Sequence, residues 1–370
     1  MQIHATTHHR SSVFRSAARA LLLAAAFVVS ALHAHAQGCV AARGSGLAAD
    51  LAALTSTPDD RWEASVSYRW FQSDRHYVGI AYQAQRDAAG DQVINRSNFI
   101  DLGLDYTISP RYSVALTIPF VDQDRSQVVK NASAVILERF HTQASGLADI
   151  SVLANAWVLN PTVAHKGNFQ VSLGFVLPSG KHDVTDTFES FDKTSGKIVA
   201  VQKAVDESIQ PGTGGYGIEV GLNGYRELGA GFTAYADANY TITPQEQNSV
   251  GNSISDTYLG RGGVSYDLAR LIGVKGVNVS FGLRAEGVMV YDLIGGSNGF
   301  RRPGYSVAID PGITIDSPKW SLRFYLPIAI QRDRMQSYPD KLKTWSTGKY
   351  TQGDAAFANY LIQWSYTYKF

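Results

Sequence analysis

Tyr360-Leu361-Ile362-Gln363-Trp364-Ser365-Tyr366-Thr367-Tyr368-Lys369-Phe370 closes the sequence. Ile362, Trp364, Tyr366, Tyr368 and Phe370 are apolar or aromatic, and the residues between them are polar. A strict period of two means an extended strand with one greasy and one wet face. A greasy face needs an apolar partner, so the question is whether the pattern recurs.

It recurs along the chain. The alternation predicts strands over 61–74, 97–109, 112–122, 146–159, 168–179, 214–228, 232–242, 257–268, 277–292, 304–315, 320–331 and 354–370. In the first, Trp62, Ala64, Val66, Tyr68 and Trp70 share a face against Glu63, Ser65, Ser67 and Arg69. In the second, Ile100, Leu102, Leu104 and Tyr106 oppose Asp101, Gly103 and Asp105. The weakest segment is 146–159, where Leu153 and Trp157 interrupt the polar face. These segments run about 11 to 16 residues, against about 5 to 6 for an ordinary globular strand, which argues against a soluble sandwich or lipocalin-like barrel.

Connection lengths test the assignment. They alternate long and short, and the count is even, as in bacterial outer-membrane barrels with short periplasmic turns and long extracellular loops. Hydrocarbon also demands closure, because an open edge would leave backbone N–H and C=O groups unpaired. The expected fold is therefore all-β: a transmembrane antiparallel barrel of about twelve strands with both termini periplasmic. Trp62, Trp70, Tyr106, Tyr112, Trp320, Tyr366 and Tyr368 near strand ends suit interfacial girdles. The terminal Phe370, with Trp364, Tyr366 and Tyr368 before it, resembles the signal by which barrel-assembly machinery recognises its clients.

The other end agrees. Arg10, Arg15 and Arg19 precede an apolar core from Leu21 to Leu32, followed by Ala34-His35-Ala36. That order reads as a cleaved secretory signal over 1–36. Removing it leaves 30 basic against 32 acidic residues, a charge near −2. A near-neutral chain gives no reason to expect nucleic acid. Cys39 raises the possibility of lipidation, but Ala36-Gln37-Gly38 lacks the usual Leu. One cysteine cannot form an internal disulfide. Residues 37–60 contain Leu47 to Leu54, a short amphipathic helix candidate that serves as a partial plug or as a periplasmic tail.

Three segments share a pattern: Ser113-Val114-Ala115-Leu116-Thr117-Ile118-Pro119, Ser172-Leu173-Gly174-Phe175-Val176-Leu177-Pro178 and Ser321-Leu322-Arg323-Phe324-Tyr325-Leu326-Pro327. Ser and Pro fall six apart on the inward face. Proline cannot donate to a ladder, so a bulge or rim is expected there. The stretches Leu177-Pro178-Ser179-Gly180-Lys181, Gly146-Leu147-Ala148-Asp149-Ile150 and Gln210-Pro211-Gly212-Thr213-Gly214-Gly215 resemble the outer-membrane proteins of the phenol meta-cleavage degradation type. The resemblance implies uptake of aromatic or other small apolar compounds, and brings no catalytic residues.

The inward face carries both signs. The acids are Glu63, Asp101, Asp105, Asp149, Glu219, Asp237, Glu286 and Asp310; the bases are Arg69, Arg261, Arg284, Arg323 and Lys369. Tyr325 joins them as a candidate lumen residue. The set reads either as a paired polar filling or as the lining of a pore. About eight strands are filled by side chains and 16 to 18 leave a channel, so twelve fits both. His76, His141, His165 and His182 fall in predicted loops, without a serine to make a nucleophile. The loop acids Asp183, Asp186 and Glu189 are a remote hydrolase or calcium candidate. No metal or cofactor motif is present. Lys341, Lys343 and Lys349 around Trp345 suit lipopolysaccharide phosphates or plain solvent. The expected function is a passive outer-membrane channel for small solutes. The alternative is a non-conducting structural or assembly barrel, with a barrel-embedded hydrolase as a distant third.

Overall fold

The computed structural model describes residues 61–370. The signal segment, Cys39 and the 37–60 stretch lie outside these residues. The strands in chain order are β1 (Trp62–Val78), β2 (Ala81–Tyr82), β3 (Ile94–Ser109), β4 (Tyr112–Lys130), β5 (Ile136–Leu147), β6 (Ile150–Trp157), β7 (Gly167–Leu177), β8 (Thr185–Asp192) and β9 (Lys197–Ala204). There follow β10 (Gly217–Gly229), β11 (Phe232–Ile242), β12 (Thr257–Asp267), β13 (Val277–Val288), β14 (Gly304–Ile309), β15 (Gly312–Asp316), β16 (Trp320–Tyr325), β17 (Ile328–Arg334) and β18 (Ala355–Lys369). Short helices are α1 (Ala84–Ala89), α2 (Ala269–Ile272) and α3 (Tyr338–Thr347). Among the described residues no helix is long and apolar enough to cross a membrane.

Three pairs of strands, β5 with β6, β14 with β15 and β16 with β17, are single staves interrupted by a bend. With that pairing the sheet is a closed antiparallel barrel of twelve staves. The quoted terminal stretch makes the closure. β18 runs against β1 from Glu63↔Lys369 to Tyr77↔Ala355. Trp62 and Phe370 exchange two backbone hydrogen bonds, at 3.1 and 2.9 Å. The period of two is realised on β18: Gln363, Ser365, Thr367 and Lys369 are buried inward, while Tyr366, Tyr368 and Phe370 are exposed outward.

The outward stripe fits a bilayer. From Trp62 to Trp70 the eight residue steps of β1, tilted, cover ~20 Å along the barrel axis, comparable to the ~25 Å apolar band of outer-membrane barrels. Aromatic pairs ring the short-turn end: Trp62–Tyr106 at 4.6 Å, Phe232–Tyr266 at 4.7 Å and Trp320–Tyr366 at 6.3 Å between centroids.

The structure corrects several expected boundaries. Residues 123–145 are not a loop. β4 continues to Lys130, turns, and returns as β5, with Asp122 opposite Ser145 and Val128 opposite Arg139. The apolar residues of this hairpin, Val128 and Val129 on β4 and Ile136, Leu137 and Phe140 on β5, do not hold a period of two, so a rule tuned to a continuous greasy face misses it. Staves expected to be continuous over 304–315 and 320–331 break at Asp310-Pro311 and Leu326-Pro327. The repeated prolines explain part of this. Pro327 sits at a break, Pro178 follows the end of β7, and Pro119 lies beside the bend between β5 and β6, where its carbonyl accepts the Ala148 N–H at 2.8 Å. Beyond its bend β17 pairs with β14 and meets β18 only at Ile328↔Tyr360. Arg332 spans that interval, donating to the Ala358 carbonyl and to Asn359 at 3.0 Å each.

Candidate functional site

The half of the lumen toward the short turns is filled. Near that end a polar chain crosses four staves. Ser172 donates to Asn155 at 2.6 Å, Asn155 to Ser113 at 3.2 Å, and Ser113 to Asp105 at 3.1 Å. Further round, Arg261 lies between Asp237 at 3.2 Å and Asp310 at 3.4 Å. Its guanidinium stacks over Tyr325 at 4.0 Å and Tyr235 at 5.3 Å. Tyr235 fits because the wall beneath it is bare: Gly263 pairs with Gly282, and a Cβ on either would sit 2.8 Å from the Tyr235 hydroxyl. Buried charge of this kind persists only when each group is matched. Arg323 is also buried, one stave from the end of the chain.

At mid-height a second set reaches across the lumen. Arg284 donates to Glu286 at 2.8 Å and to Gln363 on β18 at 3.2 Å. Asp101 and Glu286 both lie within electrostatic reach of Arg69, whose guanidinium covers the Phe99 ring at 4.3 Å. These side chains floor a chamber.

The chamber has a volume of about 130 Å³ and occupies the half of the lumen toward the long connections. Above Arg69 and Asp101, Phe99, Thr117, Val121 and Ser151 form one wall. Glu219, Thr241 and Val176 form the facing wall, and Ile254 and Val288 close the side. Its roof is the segment after β9. A 3-10 turn, Glu207–Ile209, carries Ser208, Ile209 and Gln210 into the barrel mouth, all buried. Ile209 packs on Ala144 and Val205, and Gln123 donates to the Ile209 carbonyl at 3.1 Å.

Two rivets hold the roof. Asp206 takes two hydrogen bonds from Arg302, at 2.7 and 2.8 Å, and an ion pair from Arg125 at 3.3 Å. Burial alone pushes this carboxyl up, but Arg302 and Arg125 outweigh it and hold it well below the usual carboxylate range. The second rivet is Asp149. It accepts from the Gly180 N–H at 3.0 Å, the Thr213 N–H at 2.7 Å and the Thr213 hydroxyl at 2.8 Å. A Cβ on Gly212 would lie 2.3 Å from the Gly180 carbonyl oxygen, so the two segments touch backbone to backbone. The three stretches that carry the phenol meta-cleavage resemblance thus meet at one point.

Of the candidate lumen residues, Arg69, Asp101, Asp149 and Glu219 line the chamber. Asp237, Arg261, Asp310 and Tyr325 form one cluster, Arg284 and Glu286 form a pair, and Asp105 belongs to the polar chain. Sequence reasoning missed Arg125, Asp206 and Arg302, because two lie in long connections and Arg125 sits on the unrecognised extension of β4. It also missed the hub that shapes the neighbouring loops. There Arg301 and Asp292, both fully buried, pair at 2.7 Å, and Asp256 takes N–H groups from Thr243 and Leu293.

Two of the histidines expected in loops lie on strands, His76 on β1 and His141 on β5. His76 bonds Asp354 at 2.7 Å and accepts the Val93 N–H at 2.9 Å, and His141 bonds Asp124 at 2.8 Å. His182 does lie beside a serine: its Nε2 is 2.8 Å from Ser249 Oγ, a pairing between two loops that no strand pattern signals. No carboxylate partners its other nitrogen among the described residues. Asp186 spends its oxygens on the Gln143 and Thr187 N–H groups.

No protein-family model matches the chain, and no curated protein does. Solved structures do. An outer membrane channel from Pseudomonas putida F1 is 13% identical, with a TM-score of 0.53 over 85% of this chain and 97% of that one. The toluene transporter TodX of P. putida is 7% identical, covering 87% of this chain and 93% of its own, at 0.42. The beta domain of the Bordetella autotransporter BrkA is 13% identical, covering 84% and 100%, at 0.43. Likeness at such identities speaks to fold alone, and the first structure carries it: this chain has the fold of a twelve-stranded outer-membrane β-barrel.

Proposed function

We propose that the protein is a passive outer-membrane channel for small, aromatic or apolar solutes. The carrying observation is the chamber: a cavity of about 130 Å³ in the lumen, roofed by residues 206–213 and floored by Arg69, Asp101 and their partners. An engineered apolar cavity of roughly 150 Å³ takes up one benzene, so the size suits a single small ring. The outer-membrane channel of Pseudomonas putida F1 adds support from its fold, and the three motifs meeting at Asp149 support membership of the phenol meta-cleavage type. In this reading the long connections face outward, the 1–36 segment directs export, and residues 37–60 form either a periplasmic tail or a partial plug. Trp364, Tyr366, Tyr368 and Phe370 address the assembly machinery. Lys341, Lys343 and Lys349 meet lipopolysaccharide phosphates around Trp345, which is 84% exposed.

The test is single-channel conductance of the refolded barrel in a planar bilayer, with and without a small aromatic solute. Steady conductance that the solute partly blocks is expected. A folded but silent barrel, indifferent to solute, favours the structural or assembly role instead.

A further inference from the structure

We infer that the connection from β12 to β13, residues 268–276, inserts into the phospholipid leaflet at the short-turn end of the barrel and takes anionic headgroups on Arg270 and Lys275. This rests on the barrel standing in the membrane, not on what passes through it.

The connection exposes three aliphatic side chains together: Leu271 is 71% exposed, Ile272 61% and Val274 46%. Pro110-Arg111, Ala230-Gly231 and Ser317-Pro318-Lys319, which close other short connections, carry no large apolar side chain. The β6–β7 connection is the other that does, with Val158, Leu159 and Val163. The tip at 268–276 is built rather than frayed. Asp267 Oδ1 accepts the Ala269 N–H at 2.9 Å, and the Leu268 carbonyl accepts the Ile272 N–H at 2.9 Å. Gly273, at φ +74°, closes the turn on the Ala269 carbonyl at 3.1 Å. The Gly276 carbonyl accepts the Asp316 N–H at 2.6 Å, which ties the tip to β15. The three aliphatic side chains are thus held out from the barrel instead of folding against it.

What covers this patch follows from what borders it. Tyr266, near the end of β12, meets Phe232 at 4.7 Å between centroids and belongs to the aromatic ring at the short-turn end. The lipid-facing stripe therefore runs straight into the patch. Arg270 lies at that border. Its side chain crosses the β10–β11 turn where Gly231 leaves room: a Cβ there would stand 2.5 Å from Arg270 Cδ and 3.3 Å from Tyr266 Cε2. The guanidinium is thereby placed beside the aromatic ring, at the depth of the phosphates. Lys275 stands exposed on the other side of the tip. Neither cation has an ion-pair partner among the described residues. Aliphatic side chains between two such cations fit a leaflet whose headgroups carry negative charge. A soluble partner gives no reason for the patch to continue the lipid-facing stripe.

The experiment places a nitroxide at Leu271→Cys in the refolded barrel, in a Cys39→Ser background, with Pro318→Cys as the control on a bare turn. The vesicles are phosphatidylcholine with or without phosphatidylglycerol, and heat-modifiable gel mobility checks that each variant keeps the barrel. We expect the label at 271 to relax with oxygen rather than with an aqueous nickel chelate, and the label at 318 to do the reverse. A label at 271 as open to the chelate as the one at 318 overturns the inference and leaves the patch to a soluble partner. Urea unfolding then reads the charges. Phosphatidylglycerol is expected to favour the folded wild type ~30-fold more than it favours the double variant Arg270→Gln, Lys275→Gln, from two cations at the usual attraction of an anionic leaflet. An equal response of the two proteins removes Arg270 and Lys275 from the role. Neither readout needs a conducting pore, so a silent barrel bears on the channel alone.

Discussion

Replacing Asp149 by alanine removes the acceptor for three donors at once: Gly180 N–H, Thr213 N–H and Thr213 Oγ1, at 3.0, 2.7 and 2.8 Å. The carboxylate is half-exposed, so each bond is taken near the ordinary net value of about 1 kcal/mol rather than at the higher figure for charged acceptors. The sum is roughly 3 kcal/mol, taken from the contact between roof and wall. At about 1.4 kcal/mol per factor of ten, the fraction of molecules with the roof displaced rises about a hundredfold. The staves are untouched, because their pairing is backbone to backbone and Asp149 lies in the bend between β5 and β6. The signature is therefore local: amide exchange across residues 206–215 accelerates by about two orders of magnitude, while exchange in β1 and β18 does not change. Channel openings become longer or more frequent. Asp149→Asn, which keeps one acceptor oxygen, falls between. If exchange across 206–215 stays at the wild-type rate in a folded Asp149→Ala barrel, the roof is held by something else and the reasoning is wrong.

Other expectations follow from the same geometry. Arg261→Met strands Asp237 and Asp310 in the lumen; breaking a buried pair in this way costs about 3–5 kcal/mol, and a change below 1 kcal/mol in urea unfolding from lipid vesicles would contradict the cluster. Asp206 is held below the usual carboxylate range. A depressed folded-state pKa stabilises above the unfolded value of about 4 and is lost only as pH falls through the folded value, so the protection of the roof amides, after correction for the intrinsic pH dependence of exchange, is flat from about pH 8 to pH 5, and a loss of protection across that window refutes the clamp. Deleting residues 37–60 raises ion conductance if they plug the floor; equal conductance with and without them sinks the plug.

Much of this protein is written in its sequence because two solvents read it. Along each stave lipid and lumen alternate every residue, so Trp62 to Trp70 and Ile362 to Phe370 declare their faces without knowledge of any neighbour. The strand count, the closure and the inward candidates follow from that local period. The pairings do not. Nothing near Asp149 announces that Thr213, 64 residues on, will donate to it, and nothing near Arg125 points to Asp206. The hairpin of β4 and β5 is hidden for the same reason, since its few apolar residues do not alternate and only the pairing of the two strands reveals it. Only the tertiary structure decided that the charged interior closes one half of the lumen and leaves a chamber in the other. That outcome depends on side chains from staves far apart in sequence converging on a common axis, and on long polar connections folding inward over it, where no periodicity operates.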